Sequence, residues 1–130
     1  MQATDAWVLV AEDDPGIREM ILHALEKRGW RAQGAADGLQ AWHYLQNGKK
    51  FTVIVTDLQM PRMDGLALLK RVRHMENPPP VVIQTSLLNR GLEALLRQAG
   101  AFRVLVKGGP LDRFLRSVAD AVSASASHPA

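Results

Sequence analysis

The chain contains no cysteine, and this absence removes several classes of chemistry at once. Disulfides, thiolate zinc sites, iron–sulfur clusters and a cysteine nucleophile are all excluded. Nothing in the sequence therefore needs an oxidising compartment, and the cytoplasm is the expected location. Long apolar runs are also missing: the longest, Ala6 to Ala11, has six residues and is too short to cross a membrane. The first basic residue is Arg18, so no secretory or transit leader is expected.

Aromatic residues make up only 5% of the chain, and the basic residues are scattered rather than grouped with them. No helix-turn-helix is expected after residue 122, so nucleic-acid binding within this chain is not expected. The remaining composition, 130 residues of which 47% are apolar and 22% charged, is typical of one folded domain rather than a disordered chain.

Short apolar runs of strand length alternate with amphipathic stretches of helical period. The predicted strands are Trp7–Ala11, Trp30–Ala36, Phe51–Thr56, Val81–Ile83 and Phe102–Val106. The first predicted helix begins at Pro15, after an Asp14 cap, and Gly29 marks its end. The other predicted helices are Leu39–Gln46, Leu66–Met75, one between Leu88 and Ala99, and one between Leu111 and Val122.

Five strands that alternate with five helices predict an α/β fold with a parallel sheet between two layers of helices. The doubly wound, flavodoxin-like strand order 2-1-3-4-5 is the natural arrangement, because crossovers between parallel strands are right-handed. One domain is expected over residues 1–122. Residues 123–130 are small and polar, and we expect a flexible tail or a truncated linker there.

Charged and hydroxyl side chains follow four of the five predicted strands at their carboxyl ends, where such sheets bind ligands. They are Glu12-Asp13-Asp14 after strand 1, Asp57 after strand 3, Thr85-Ser86 after strand 4 and Lys107 after strand 5. Crowded carboxylates are costly without a cation, and oxygen-only ligands favour Mg²⁺ over zinc. A carboxylate nucleophile, Mg²⁺, a lysine and a hydroxyl suffice for phosphoryl transfer to aspartate.

Each of these residues also has an ordinary structural interpretation. The acidic run could be a helix-start cluster favoured by the helix dipole, Asp57 a loop residue and Lys107 a solvated lysine. Their joint occurrence at strand carboxyl ends is much harder to attribute to chance, so a site is favoured.

The sequence resembles the receiver domain of two-component response regulators, the CheY-like family. The matching segments are Leu9–Asp14, Val55–Gly65, Val81–Ser86 and Lys107, and the resemblance covers residues 6–122. The string Asp-x-x-Met-Pro-x-Met-Asp-Gly, which begins at Asp57, is highly specific.

The resemblance implies a role for each matching residue. Asp57 would accept a phosphoryl group from a phosphohistidine of a sensor histidine kinase or a phosphotransfer protein. Asp13, Asp57 and the backbone carbonyl of Gln59 would bind Mg²⁺, with Glu12 acting through water. Lys107 would pair with the phosphoryl oxygens, and Thr85 would hydrogen-bond to the phosphoryl group. The chain would not be an enzyme beyond its own phosphorylation and slow self-dephosphorylation.

Three positions depart from the family pattern. Lys107 is followed by Gly108 instead of proline, which predicts a trans peptide bond there. Val104 replaces the usual aromatic residue three positions before the lysine, and Ser86 replaces the common alanine. The first two substitutions predict a muted or rerouted conformational switch, with signal passing through residues 85–89.

Three other functions remain as alternatives. A phosphorylation-independent adaptor would explain Val104 and Gly108. An aspartyl-phosphate hydrolase of the haloacid dehalogenase type needs Asp-x-Asp, whereas this chain has Gln59 at the second position. A flavoprotein with the same sheet would need phosphate-binding hydroxyls after strand 1, where this chain has carboxylates.

Charge is distributed unevenly along the chain. Residues 1–65 carry 7 basic and 9 acidic side chains, a net charge of −2, whereas residues 66–130 carry 9 basic and 4 acidic ones, a net charge of +5. The segment from Arg90 to Arg116 has six basic side chains against Glu93 and Asp112. This pattern predicts a dimer or partner surface on helix 4, strand 5 and helix 5, and a merely solvated face is the alternative.

Overall fold

Five strands and five helices alternate along residues 5–126, the part of the chain that the computed structural model describes. The strands are β1 (Trp7–Ala11), β2 (Arg31–Ala35), β3 (Val53–Asp57), β4 (Val81–Thr85) and β5 (Arg103–Val106). The helices are α1 (Pro15–Lys27), α2 (Gly38–Gln46), α3 (Gly65–Arg73), α4 (Arg90–Gln98) and α5 (Leu111–Ala126).

The strands form one parallel sheet in the order β2-β1-β3-β4-β5, which confirms the predicted doubly wound arrangement. Every residue of β3 and β4 is buried, as expected for β-branched strands covered on both faces. β2 lies at an edge, and four of its five residues are exposed or half-buried. The carboxyl ends of β1 and β3 are therefore neighbours in the centre of the sheet.

Two apolar cores lie on opposite faces of the sheet, because successive side chains of a strand point to opposite sides. Leu9 and Ile54 belong to the core that includes residues of α2, α3 and α4. Val8 and Val55 belong to the core that includes residues of α1 and α5. The rigid sheet between these cores fixes the positions of the loops at its carboxyl edge.

Side-chain caps begin four of the helices close to that edge. The carboxylates of Asp14, Asp37 and Asp64 and the amide oxygen of Asn89 each accept a hydrogen bond from the backbone three residues later. Asp14 was the predicted first cap, and Gly29, with φ of 92°, follows the end of α1 as predicted.

Several element boundaries differ from those predicted. β3 starts at Val53 rather than Phe51 and includes Asp57, which pairs with Gln84 of β4. α5 continues to Ala126, so residues 123–126 of the predicted tail are helical, while residues 127–130 lie outside the described residues. Within residues 5–126, no helix has the length and apolar character needed to span a membrane.

Candidate functional site

Three carboxylates meet at the carboxyl ends of β1 and β3. Glu12 and Asp13 follow β1, and Asp57 is the last residue of the adjacent β3. One carboxylate oxygen of each residue lies within 4.8 Å of the others. Glu12 and Asp57 are buried, and Asp13 is exposed, so the cluster opens to solvent on the Asp13 side.

Lys107 reaches this cluster from β5, on the far side of β4. Its backbone amide donates to the carbonyl of Thr85 at 2.8 Å, which extends the β4–β5 ladder and directs the chain toward the site. Its Nζ lies 2.9 Å from Asp57 Oδ2 and 3.0 Å from Glu12 Oε1. A single ammonium thus bridges the two buried carboxylates.

The crowding of charges shifts the pKa of each group. Burial, then a hydrogen bond and charge repulsion from Glu12, raise the pKa of Asp57 to about 7, although Lys107 opposes them. Burial also acts to raise the pKa of Glu12, but hydrogen bonds from Asp57, the Asp14 amide and Lys107 outweigh it and lower that pKa. Burial acts to lower the pKa of Lys107, and the two carboxylates raise it overall. The carboxylates are thus only partly compensated by the single lysine.

The donor atoms fit a small divalent cation. Glu12 Oε1 is buried and lacks a hydrogen bond, the one such side-chain nitrogen or oxygen among the described residues, although it stands close to the ammonium of Lys107. The cluster offers only carboxylate oxygens, which are the ligands that Mg²⁺ prefers. An additional cation beside these carboxylates would reduce the repulsion between them, which the single ammonium of Lys107 compensates only in part.

Two residues that the sequence predicted for the site are not bonded to the acidic cluster. The Thr85 hydroxyl lies at the carboxyl end of β4 but donates to the carbonyl of Leu87, at 3.4 Å. Gln59 lies in the loop between β3 and α3 with its residue exposed, two positions after Asp57. Their predicted roles toward a phosphoryl group and a cation therefore stay predictions.

Close packing fixes the start of α3 against the site. The Gly65 amide donates to the Leu58 carbonyl at 2.8 Å, and a Cβ at Gly65 would clash with the backbone oxygen of Asp57. Asp64 caps α3 by accepting from the Ala67 amide at 2.8 Å. Asp64 and Gly65 therefore act as the helix cap and the tight turn that place α3 against the site.

Two further contacts near the site were not anticipated from the sequence. Arg18 Nη1 donates to the Glu12 carbonyl at 2.8 Å, and Arg62 forms an ion pair with the buried Asp37. The only sequence signal for Asp37 is its place before Gly38 at the start of a helix, which indicates a cap but not an ion pair 25 residues away.

The peptide bond after Lys107 has the predicted conformation. The Lys107–Gly108 peptide bond is trans, and Gly108 has φ of 81°, a left-handed conformation that glycine adopts readily. Val104 is buried in the core on the α4 side of the sheet. A buried aliphatic side chain, rather than an aromatic ring, therefore occupies this position of β5.

Comparison with known proteins relates this chain to response regulators. A family model described as "Response regulator receiver domain" matches residues 8–119. Response regulator GtcR of Aneurinibacillus migulanus is 34% identical over 89 residues, which are 68% of this chain and 36% of that protein. The DNA-binding transcriptional regulator NtrC of Escherichia coli is 32% identical over 123 residues, 95% of this chain and 26% of that protein.

Solved structures have the same fold over nearly their whole length. The Francisella response regulator 1452 receiver domain superposes with a TM-score of 0.85 at 30% identity, covering 92% of this chain and 98% of that one. By contrast, this chain spans only about a quarter to a third of the curated relatives named above. The similarity therefore concerns one domain of those longer proteins.

Proposed function

The chain belongs to the family of response regulator receiver domains, the signalling domains of two-component systems, and from this premise we propose that Asp57 is its phosphoacceptor. The observation that carries the proposal is the buried Asp57 carboxylate, held 2.9 Å from the Lys107 ammonium and beside two further carboxylates. Asp57 is the one carboxylate of the three that lies both at the end of a central strand and next to a fixed cation.

The transfer would proceed by attack of an Asp57 carboxylate oxygen on the phosphorus of a phosphohistidine. The new P–O bond forms as the P–N bond breaks, and the imidazole of the donor leaves with its electron pair. Lys107 would stay near the transferred oxygens as a compact positive charge. The Thr85 hydroxyl would give up its bond to the Leu87 carbonyl to donate to the phosphoryl group.

Glu12, Asp13, Asp57 and the backbone carbonyl of Gln59 would hold Mg²⁺, Glu12 through water. The ion would supply charge neutralisation for the phosphoryl oxygens during transfer. The buried Glu12 Oε1, which accepts no hydrogen bond, and the exposed Asp13 support this assignment, because the cluster is open to a partly hydrated cation on the Asp13 side.

The domain would act through partners rather than through turnover of a separate substrate. Receiver domains work with histidine kinases or phosphotransfer proteins, and we propose one of these as the donor and only slow self-dephosphorylation as intrinsic activity. We propose α4, β5 and α5 as the surface for a second copy or a downstream partner, supported by exposed Leu95, Val106 and Leu111 amid basic side chains. The cytoplasmic location expected from the sequence stays a prediction.

Mass spectrometry after treatment with acetyl phosphate and Mg²⁺ tests the phosphoacceptor directly. Wild-type protein should gain about 80 Da, the mass of one phosphoryl group, and excess chelator should prevent the gain. Asp57→Asn should show none. Asp64→Asn is the matched control, because it removes a neighbouring exposed carboxylate yet keeps a capping oxygen, and it should be modified like wild type.

Uptake that survives Asp57→Asn or chelation would refute the proposal. Absence of uptake by the wild type would instead favour the phosphorylation-independent adaptor, for which Val104 and Gly108 are the sequence support.

A further inference from the structure

An ion pair connects the start of α2 to the loop between β3 and α3. Arg62 Nε donates to Asp37 Oδ2 at 2.6 Å, and Nη2 of the same guanidinium lies 2.6 Å from that oxygen. The Asp37 side chain is only 4% exposed. Its other oxygen, Oδ1, accepts from the Gln40 amide at 2.8 Å, so both oxygens of one buried carboxylate are engaged.

The backbone around this ion pair is drawn together as well. The Gly38 amide donates to the Met63 carbonyl at 3.1 Å, and a Cβ at Gly38 would clash with that carbonyl. Arg62 has φ of 68°, a conformation that is unfavourable for a residue other than glycine. A residue in this conformation needs restraint from its surroundings, and the Asp37 carboxylate supplies it.

The segment that contains Asp37 also contacts the backbone of Glu12 in the acidic cluster. The Glu12 amide donates to the Ala35 carbonyl at 3.0 Å, two residues before Asp37. Residues 35–38 therefore connect the backbone of Glu12 to the far end of the loop that starts after Asp57. That loop carries Gln59, whose carbonyl is a proposed Mg²⁺ ligand.

We propose that the Asp37–Arg62 ion pair is a positioning element that holds residues 58–64 in place for binding of Mg²⁺ at the acidic cluster. This inference rests on the proposed function, since it assumes that Gln59 and the cluster take the cation. A loop held in advance loses less conformational freedom when the cation binds, so affinity is higher. Groups that orient metal ligands in this way typically change metal affinity when they are removed.

The variants Asp37→Asn and Arg62→Gln test the ion pair from both ends. Asn keeps a capping oxygen for the Gln40 amide, so α2 retains its cap, and neither variant touches a proposed ligand. Arg97→Gln is the matched control, because it breaks an exposed ion pair with Glu93 on α4 by the same chemical change. Arg62→Lys keeps the positive charge without the forked guanidinium.

Isothermal titration calorimetry with MgCl₂ on the unphosphorylated protein gives the first measurement. Asp37→Asn and Arg62→Gln should each weaken Mg²⁺ binding by about tenfold, the lower end of the range for groups that orient metal ligands. The double variant should be no weaker than either single one, because both substitutions remove the same contact. Arg62→Lys should recover part of the affinity, and Arg97→Gln should match wild type.

Amide hydrogen exchange in Mg²⁺-free buffer gives the second measurement, which does not depend on the cation. The amides of Gly38, Met63 and Gly65 donate to carbonyls within residues 58–64, and they should exchange faster in both variants than in Arg97→Gln. Unchanged exchange together with wild-type Mg²⁺ affinity would overturn the positioning role. If the wild type binds no Mg²⁺ and both variants still exchange faster, the proposed function is refuted, but the restraint of the loop by the ion pair is established.

Discussion

Asp37 and Asp57, two of the three buried carboxylates at the carboxyl edge of the sheet, are compensated very differently. Asp37 accepts from backbone amides and from Arg62, whereas Asp57 shares Lys107 with Glu12, a second carboxylate. The pKa of Asp57 is accordingly raised to about 7 and that of Asp37 is lowered. An added cation would compensate Asp57, whereas Asp37 is already compensated by the fold, and this difference supports the proposed binding role of Asp57 and a structural role of Asp37.

The stability of the domain should depend on Asp37 in a pH-dependent way. Burial acts to raise the pKa of Asp37, but the Gln40 amide and Arg62 outweigh it, so the folded-state pKa lies below the unfolded value. Stabilisation of this sign is complete above the unfolded pKa, about 3.9, and is lost as pH falls through the folded pKa. Asp37→Asn should therefore lower the free energy of unfolding by about 1 to 3 kcal/mol near neutral pH.

Urea unfolding of wild type and Asp37→Asn across the acid range measures this dependence. The difference in the free energy of unfolding between wild type and Asp37→Asn should become smaller as pH falls below the unfolded pKa of Asp37. Asp64→Asn provides the comparison near neutral pH, because Asn keeps the capping oxygen at this exposed position, and it should change the free energy of unfolding only slightly. A gap for Asp37→Asn that does not change with pH would contradict the assignment.

At the scale of elements, close contact between β3 and α3 determines where the loop of the site can run. Gly65 begins α3 directly against the Asp57 backbone, where a side chain has no room. Gly91 occupies a similar early position in α4, but a Cβ there would meet only the Asn89 side chain at 3.5 Å. The two helix starts thus provide one crowded and one open glycine.

Alanine substitutions at these glycines should have opposite effects. Gly65→Ala should destabilise the protein by about 1 to 3 kcal/mol, because the new methyl group forces the backbone of Asp57 to move. Gly91→Ala should be neutral or stabilise by up to about 1 kcal/mol, as expected for replacing glycine in a helix. Chemical denaturation of both variants checks this, and equal effects would show that the close approach at Gly65 is easily relieved.

The β4–α4 loop should carry the response to a phosphoryl group. Thr85 donates to the Leu87 carbonyl in this loop, so a hydroxyl that turns to the site must release Leu87, which is 82% exposed. Val104 is already buried and, as a β-branched residue, has a stiff side-chain rotamer, so it cannot swing in to report the change. Amide shifts on adding beryllofluoride with Mg²⁺ should therefore concentrate in residues 85–89 and at the start of α4.

Two outcomes of that chemical-shift experiment would contradict the prediction. Large changes across β5 and α5 would indicate that another group transmits the signal along β5. Changes confined to the Asp57 loop would indicate an adaptor that does not respond. Thr85→Val, which keeps the shape and removes the hydroxyl, should abolish the changes in the β4–α4 loop.

For the whole molecule, the strand order and the acidic cluster followed from the sequence because both depend on local patterns. Buried β-branched runs predict parallel strands, and residues at strand carboxyl ends must meet where β1 and β3 are neighbours. The end of β3 was missed because Asp57 is a strand residue only through its pairing with Gln84. The Asp37–Arg62 contact was missed because it depends on the left-handed backbone of Arg62, which no local pattern indicates.

The proposed α4–β5–α5 surface carries both exposed basic and exposed apolar side chains. Arg97 and Arg103 are paired with Glu93 and Asp120, whereas exposed Arg90, Arg113 and Arg116 have no carboxylate partner among residues 5–126. Exposed arginines without a carboxylate partner favour an acidic partner whose association weakens with salt. Only three of the six basic residues that the sequence places between Arg90 and Arg116 are therefore unpaired among residues 5–126.

A titration with a poly-glutamate peptide, followed by amide chemical shifts, tests this surface as a whole. The shifts should cluster on α4, β5 and α5, and should shrink steeply with added salt because the contacts are exposed ion pairs. Arg113→Glu with Arg116→Glu should nearly abolish them, whereas Lys70→Glu, at an exposed position on α3, should reduce them only slightly through net charge. If the double variant and Lys70→Glu reduce the chemical shifts equally, the peptide responds to overall charge. The basic residues of α5 would then form a solvated face instead of a docking surface.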